Sequence, residues 1–151
     1  MNVENRLPIV IIAVALLCSG CAATSPSGDS PETIATPSND ALLGVQWRVE
    51  DINGAGVIDR SNTSFTLLPD GRLAGLPGCN NFSAVYALNR NSLTFDTIIS
   101  TRKACVPALN NQEQRFLKLL EATDRYQFDQ TGALILKTHD GRHIKARRQD
   151  S

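Results

Sequence analysis

The sequence contains few of the residues on which nucleic-acid-binding proteins depend. Its 151 residues include only one Trp, two Tyr and five Phe, which is too few for an aromatic platform that stacks single-stranded bases. Fifteen basic and fifteen acidic residues give a formal net charge of zero, so no overall positive field attracts nucleic acid. Apolar residues make up 42% of the chain, and this fraction is sufficient for the packed core of one small domain.

Histidine is scarce as well, and this absence limits the chemistry that we can predict. His139 and His143 are the only two, and both lie in or beside a predicted hairpin turn, where we expect them to be exposed. A structural metal site needs about four protein ligands, so we predict no metal site. Glu50 and Asp51 are adjacent and point to opposite faces of a strand, which excludes an acid–base pair. The segment Gly54-Ala55-Gly56 lacks the Lys of a phosphate-binding loop, and we predict no cofactor.

The N-terminal apolar run is short. It extends from Leu7 to Leu17, which is 11 residues, whereas a membrane-spanning helix needs about 20. Because it follows Arg6 and the positively charged amino terminus, it is typical of an export signal.

The end of this run, Leu17-Cys18-Ser19-Gly20-Cys21, resembles the lipobox of bacterial lipoproteins, in which a Cys after small residues becomes the lipidated first residue. The resemblance identifies Cys21 as the anchor, although Cys18 stands where a Leu is usual. Cys18 itself would follow two Leu residues and fits less well. The alternative is ordinary signal cleavage nearby, which would release a soluble product.

The next segment is polar and rich in small residues. Residues 22–41 contain one large aliphatic side chain, Ile34, and cannot bury enough apolar surface to offset the entropy of ordering. We therefore expect residues 1–20 to be a lipoprotein signal peptide, residues 21–41 to be the lipidated Cys and a disordered tether, and residues 42–148 to be the folded domain. Ala22 stands where an Asp would favour retention in the inner membrane, so the outer membrane is the expected location.

The folded part shows the alternation that is typical of β-strands. Val45, Trp47 and Val49 alternate with polar residues, which predicts a strand with one buried face. Residues 64–68 and 72–75 predict a hairpin. A two-residue Asp-Gly turn is one register, but a three-residue loop over 69–71 keeps Phe65, Leu67 and Leu73 on one face and is preferred.

The remaining segments predict further strands and one helix. We expect strands at 82–88 and 93–95, followed by an irregular or weakly extended segment at 98–104. A strand around 126–128 and a last hairpin with a three-residue loop over 139–141 complete the predicted strands. The helix is expected to begin at Asn110 with Glu113 at a capping-box spacing. Its predicted apolar stripe comprises Phe116, Leu117, Leu119 and Leu120. The predicted fold class is α+β, mostly β.

The segment Gly78-Cys79-Asn80-Asn81-Phe82, with Tyr86 shortly after, resembles the META/HslJ family of bacterial envelope proteins. Further elements follow in the family's order over residues 42–147. They are Thr101 and Cys105 of a T-x-x-A-C element, Glu113 with Phe116, Leu117 and Leu120 of an E-x-x-F-L-x-x-L helix, and Gly44 and Trp47 of the opening strand.

The resemblance implies a small, partly open antiparallel barrel crossed by one helix. It also implies attachment to a lipoprotein signal and a link to envelope stress, with no catalytic residue that could be carried over. The family motif here comprises Gly78, Cys79, Asn80, Thr101, Cys105 and Glu113.

Cysteine content predicts a disulfide. If Cys21 is acylated after signal removal, Cys79 and Cys105 are the only two thiols left. The periplasm is oxidising, so we expect them to bond. The alternative is two buried free thiols, since Cys also packs well in cores.

These observations predict a non-catalytic, lipid-anchored periplasmic protein, expected to be a monomer. It would bind an envelope protein, a wall component or an apolar ligand, and its membrane contact would be the lipid anchor. The alternative is a periplasmic hydrolase with an unrecognised site near Asn80 and Asn81. The C-terminal segment carries five basic residues between 137 and 148, which could touch anionic lipid but is more typical of a solvated face.

Overall fold

A computed structural model describes residues 39–149 of the chain. The predicted signal peptide, Cys21 and the tether up to residue 38 lie outside these residues. The last three residues that we assigned to the tether, Asn39–Ala41, form a short 3-10 turn. Leu42 follows it and is fully buried.

Within residues 39–149, nine strands and one α-helix make up the fold, and every pair of neighbouring strands is antiparallel. In chain order they are β1 (Gln46–Ile52), β2 (Ala55–Gly56), β3 (Ser64–Leu67), β4 (Arg72–Leu76), β5 (Phe82–Asn89), β6 (Ser92–Ser100), α1 (Pro107–Glu121), β7 (Thr123–Phe128), β8 (Leu134–Thr138) and β9 (His143–Arg148).

The first and last long strands close the sheet into a barrel. Pairing of β1 with β9 joins the two ends of the series β1-β3-β4-β5-β6-β7-β8-β9, while β2 is an extra strand on β1. The wall is weakest between β6 and β7, where a single residue pair, Ser92 and Arg125, is in register. The helix connects these two strands and packs against β6 and β9. This is the mostly-β, partly open barrel with one helix that the family resemblance implies, and its strands and helix agree with the pattern of the sequence.

Alternating residues of the strands fill the barrel interior. Trp47 and Val49 of β1 are each 1% exposed, as the period-2 pattern predicts. The helix contributes Phe116, whose ring lies 6.2 Å from that of Phe65 and 5.5 Å from that of Phe82. Burying an aromatic side chain of this size stabilises the fold by about 2 kcal/mol, so the helix is an integral part of the core.

The hairpin of β3 and β4 has the predicted three-residue loop. Leu67 lies opposite Leu73, and Phe65 lies opposite Gly75. The loop requires one left-handed residue, and Gly71 supplies it with a φ of 84°.

The last hairpin repeats this turn. Leu136 of β8 lies opposite Ile144 of β9, and Gly141 has a φ of 87°. The Nε atom of Arg142 lies 2.8 Å from the Asp140 carboxylate, and the equivalent Asp and Arg of the first hairpin are also paired. The predicted register is therefore confirmed in both hairpins.

Strand β6 is longer than predicted. We expected a short strand at 93–95 and an irregular or weakly extended segment at 98–104, whereas β6 is one continuous strand to Ser100. A β-bulge explains the difference, because two residues of β6 stand opposite one residue of β5. Thr97 in the bulge has a φ of 52°, and the extra residue breaks the alternation from which strands are recognised.

The helix begins earlier than predicted. Asn110 was expected to cap it, but the helix starts at Pro107 and the residue before it, Val106, makes no side-chain cap. Proline is favourable at the first helical position because the N–H that it lacks would have no helical partner. Asn110 lies inside the first turn and donates from Nδ2 to the carbonyl oxygen of Cys105 at 3.2 Å.

Candidate functional site

The family motif assembles in one place from three parts of the chain. Asn80 lies in the turn between β4 and β5, Thr101 follows the end of β6, and Glu113 lies in the second turn of α1. Hydrogen bonds join all three side chains. We call this cluster, together with the groups that it binds, the Glu113 network.

Glu113 is a buried carboxylate at the centre of the network, with 7% of its surface exposed. It accepts hydrogen bonds from the backbone N–H of Asn80 at 3.1 Å, from Asn80 Nδ2 at 3.0 Å and from Ser100 Oγ at 3.2 Å. A longer contact of 3.5 Å comes from the N–H of Cys79. No cation of residues 39–149 lies within ion-pair distance of it, so these donors replace the water that the carboxylate has lost.

Asn80 uses both ends of its amide. Nδ2 donates to both oxygens of Glu113, at 3.0 and 3.2 Å. Oδ1 accepts from Thr101 Oγ1 at 3.1 Å and from the backbone N–H of Lys103 at 2.7 Å. An amide oxygen has two lone pairs, so the capacity of this side chain is filled by protein groups.

Two further motif residues bring the turn against the helix. A Cβ on Gly78 would lie 3.3 Å from the carbonyl oxygen of Leu109, which is closer than most side chains tolerate. Cys79 and Cys105 form the predicted disulfide, with their Cα atoms 6.4 Å apart. The bond connects the turn after β4 to the segment that leads into α1.

Sequence reasoning missed Gln112, which is fully buried beside Glu113. Its Oε1 accepts from the N–H of Ile58 at 2.6 Å, and its Nε2 donates to Thr63 Oγ1 at 2.8 Å and Ser61 Oγ at 3.2 Å. The burial of Gln112 could have been predicted from the sequence, because position 112 lies four residues before Phe116 and therefore on the same buried face of the helix.

Tyr86, which the family resemblance also singled out, supports the first hairpin. Its hydroxyl donates to the carbonyl oxygen of Leu68, and its backbone N–H donates to the carbonyl oxygen of Gly71 at 2.9 Å. Burial raises the pKa of the Tyr86 hydroxyl, and the negative charge of Asp70 adds to this effect.

The two histidines lie away from the Glu113 network. The side chain of His139 is 99% exposed. His143 of β9 stands opposite Lys137 of β8, and its Nε2 atom lies 3.4 Å from the Asp51 carboxylate. Within residues 39–149, no group of three or more His, Cys, Asp or Glu side chains could hold a metal ion. In the same part of the chain, no helix is long and apolar enough to cross a membrane.

The arrangement of the Glu113 network is that of a structural clamp. Its polar atoms bind one another across three segments, and the central carboxylate is covered. The clamp fixes the helix to the barrel and holds the turn that carries Cys79.

A separate pocket of about 190 Å³ lies between α1, the turn joining β1 to β2, and the last hairpin. Its floor is apolar and its rim is basic. None of the motif residues lines it.

The fold and the Glu113 network define a small antiparallel barrel domain clamped to one helix by a G-C-N turn. The chain belongs to the META domain family, whose model matches residues 40–151. This confirms the family resemblance on which the sequence interpretation relied. No curated protein matches the chain.

Solved structures share this fold. A protein from Burkholderia xenovorans studied by NMR is 21% identical with a TM-score of 0.62, covering 85% of this chain and 97% of its own. A second NMR structure is 24% identical with a TM-score of 0.56 and covers 72% of this chain and 93% of its own. The crystal structure of a DUF4847 family protein from Bacteroides vulgatus is 15% identical with a TM-score of 0.55, and the match covers 76% of this chain and 100% of its own. At these identities the likeness concerns the fold alone.

Proposed function

We propose that the protein is a lipid-anchored, non-catalytic binding module on the periplasmic side of a bacterial membrane, with the outer membrane as its location. The observation that carries the proposal is the disulfide between Cys79 and Cys105. Such bonds persist in oxidising compartments and are rare in the cytosol, which agrees with the export signal and with Cys21 as the anchor.

The Glu113 network supports a binding role over catalysis. A general base needs a free lone pair directed at substrate, whereas Glu113 and Asn80 direct theirs at protein donors. The protein would therefore act by binding, and the surface of the domain would contact an envelope protein, a wall component or an apolar ligand. The resemblance to envelope-stress proteins gives the expected setting, which is the support of the envelope under stress.

The anchor can be tested with two matched variants. Intact mass of the membrane fraction is expected to show a chain that begins at Cys21 and carries a diacylglyceryl group. Cys21→Ala should abolish that mass and the membrane association, whereas Cys18→Ala should leave both unchanged because Cys18 lies in the part removed. An unmodified wild-type chain in the soluble fraction would overturn the anchor.

The binding role requires a separate measurement. Crosslinking in intact cells with the wild-type protein is expected to capture a discrete envelope component, and the same component should be lost when the domain surface is altered. Hydrolysis of a wall or ester substrate by the purified protein, abolished by Asn80→Ala in a folded variant, would overturn the non-catalytic assignment.

A further inference from the structure

The pocket beside α1 combines an apolar floor with a basic rim. Ile52 and Leu119 are 2% and 4% exposed and form the floor with Ala55 of β2. The pocket is open to the surface, and its volume of about 190 Å³ is smaller than the range of about 300–1,000 Å³ that drug-sized ligands occupy. It therefore has room for one small charged group and the first few carbons attached to it.

Three cationic side chains from two separate parts of the fold line this pocket. Arg115 and Lys118 are three residues apart on α1, so they lie on one helix face. Arg142 reaches the pocket from the last hairpin. Neither Arg115 nor Lys118 forms an ion pair with any group of residues 39–149.

No carboxylate of residues 39–149 lines the pocket itself, and the acidic groups of the two turns that border it are already engaged. Asp96 and Glu121 share a different surface depression with Lys118. Asp140 is paired with Arg142 at 2.8 Å and accepts a hydrogen bond from Thr138. Asp51 accepts from the N–H of Gly54 at 2.7 Å and faces His143 at 3.4 Å. The rim therefore keeps an excess of positive charge, and like charges held close together favour the binding of an anion between them.

We infer that this pocket binds an amphiphilic anion, namely a phosphate or carboxylate group attached to a short apolar chain. Arg115, Lys118 and Arg142 would hold the anionic group, and the first carbons of the chain would lie on Ile52, Ala55 and Leu119. Arginine suits this task because its planar fork matches the geometry of phosphate and carboxylate oxygens. The inference deepens the proposed binding role by naming the chemical class of a ligand.

Hexyl phosphate carries both features and is the probe of choice. We would titrate it by calorimetry into the full-length protein in nanodiscs of phosphatidylcholine, with empty nanodiscs as the blank. Inorganic phosphate carries only the charge, and hexanol carries only the chain. Hexyl phosphate should bind at least tenfold more tightly than either. Ethyl phosphate should bind more weakly by roughly fourfold for each buried methylene that it lacks.

Charge and shape can be varied separately in the protein. Arg115→Glu combined with Lys118→Glu should weaken hexyl phosphate binding by at least tenfold. Arg102→Glu removes an exposed cation outside the pocket and should change binding less than twofold. Ala55→Trp should block the pocket without altering its charge, and circular dichroism establishes that each variant is folded.

Two results would overturn the inference: equal binding of inorganic phosphate and hexyl phosphate, or equal loss with Arg102→Glu and with the double variant. Unchanged binding by a folded Ala55→Trp protein would do the same. Nanodiscs that contain phosphatidylglycerol identify the source of the anion, because competition with hexyl phosphate indicates a lipid headgroup and its absence indicates a free small molecule. Absence of hexyl phosphate binding would not change the result expected for the lipidation of Cys21, so the two proposals can fail independently.

Discussion

Glu113 shows how a charged residue can be buried without a counter-ion. Its carboxylate receives donors from the turn after β4 and from the end of β6, while its own backbone belongs to α1. Hydrogen bonds to an ionised group contribute more than neutral ones, and a buried donor without its acceptor is costly. The side chain therefore links three elements that are distant in sequence.

Glu113→Gln is expected to lower the free energy of unfolding by about 2 to 3 kcal/mol. The substitution turns one acceptor oxygen into an N–H donor that faces the donors of Asn80. Urea denaturation of the purified protein measures the change. Glu121→Gln is the matched control on an exposed position of the same helix and should stay within about 0.5 kcal/mol of wild type. Equal midpoints for the two variants would show that the network does not stabilise the fold.

Asp129 gives a pH-dependent contribution in the turn between β7 and β8. Its oxygens accept from the N–H and hydroxyl of Thr131, at 2.8 and 2.6 Å, and from Lys145 Nζ at 3.0 Å. The hydroxyl of Thr131, followed by Lys145, lowers the pKa of the Asp129 carboxyl well below its ordinary value of 3.8. A lowered pKa in the folded state stabilises the protein above the unfolded value and loses that effect as the pH falls.

Asp129→Asn should therefore lower the urea midpoint at pH 7. The difference in urea midpoint between variant and wild type should narrow as the pH falls below about 4, because the Asp129 carboxylate of the unfolded chain takes up a proton there while that of the folded protein stays ionised. Asp59→Asn is the control, since Asp59 is exposed and the described residues offer it neither a hydrogen bond nor an ion pair. A gap that stays constant from pH 7 to pH 3 contradicts this assignment.

Among the strands and the helix, the hairpins were predicted more accurately than the bounds of α1 and β6. Both hairpin registers follow from an Asp-Gly-Arg turn and the alternation beside it, which are contained within about a dozen residues. The start of α1 and the length of β6 did not follow. Pro107 begins the helix without a capping side chain, and the bulge at Thr97 shifts the alternation of β6.

The segment between β6 and α1 depends on the disulfide. Residues 101–106 have no regular secondary structure, and Cys105 ties them to Cys79 at a sequence separation of 26. A loop of this length corresponds to about 3 to 4 kcal/mol in the chain-entropy account. Removing the bond by a double substitution of both Cys to Ser should lower the free energy of unfolding by that amount.

Limited proteolysis locates the effect of reduction. Trypsin cleavage after Arg102 and Lys103, which are both exposed, should rise when the protein is reduced, because local opening of the segment becomes easier. Cleavage after Arg90 in the turn between β5 and β6 is the internal control and should rise less. If all three sites respond equally, the disulfide stabilises the domain globally and does not restrain this segment in particular.

For the whole molecule, the contacts that matter most join distant parts of the chain. Composition and periodicity predict strands and a helix but not that β1 pairs with β9, and the barrel was expected only because the motif resembles a known family. The hydrogen bonds of the Glu113 network are long-range contacts of the same kind. The motif residues of the network could be named from the resemblance, but the contribution of Ser100 could not, because nothing in the local sequence around Ser100 indicates a hydrogen bond to Glu113.

Closure by the first and last long strands also predicts how the domain unfolds. Trp47, the only Trp in the sequence, lies on β1 between its two neighbours, opposite Phe65 of β3 and Arg148 of β9. Its Nε1 donates to the carbonyl oxygen of Leu42 at 3.1 Å, and its ring lies 5.8 Å from that of Phe128. Fluorescence from this side chain therefore reports the closure of the barrel.

Because β1 cannot separate from β9 without exposing the core around Trp47, we expect a single cooperative transition. Trp fluorescence reports the closure, and far-UV circular dichroism reports the strands and α1. Both should give the same urea midpoint, and refolding should be slow, on the order of milliseconds to seconds, because the closing contacts are far apart in sequence. If fluorescence changes at a lower urea concentration than circular dichroism, the barrel opens at β1 and β9 while the remaining strands stay folded, and closure is then a separate step.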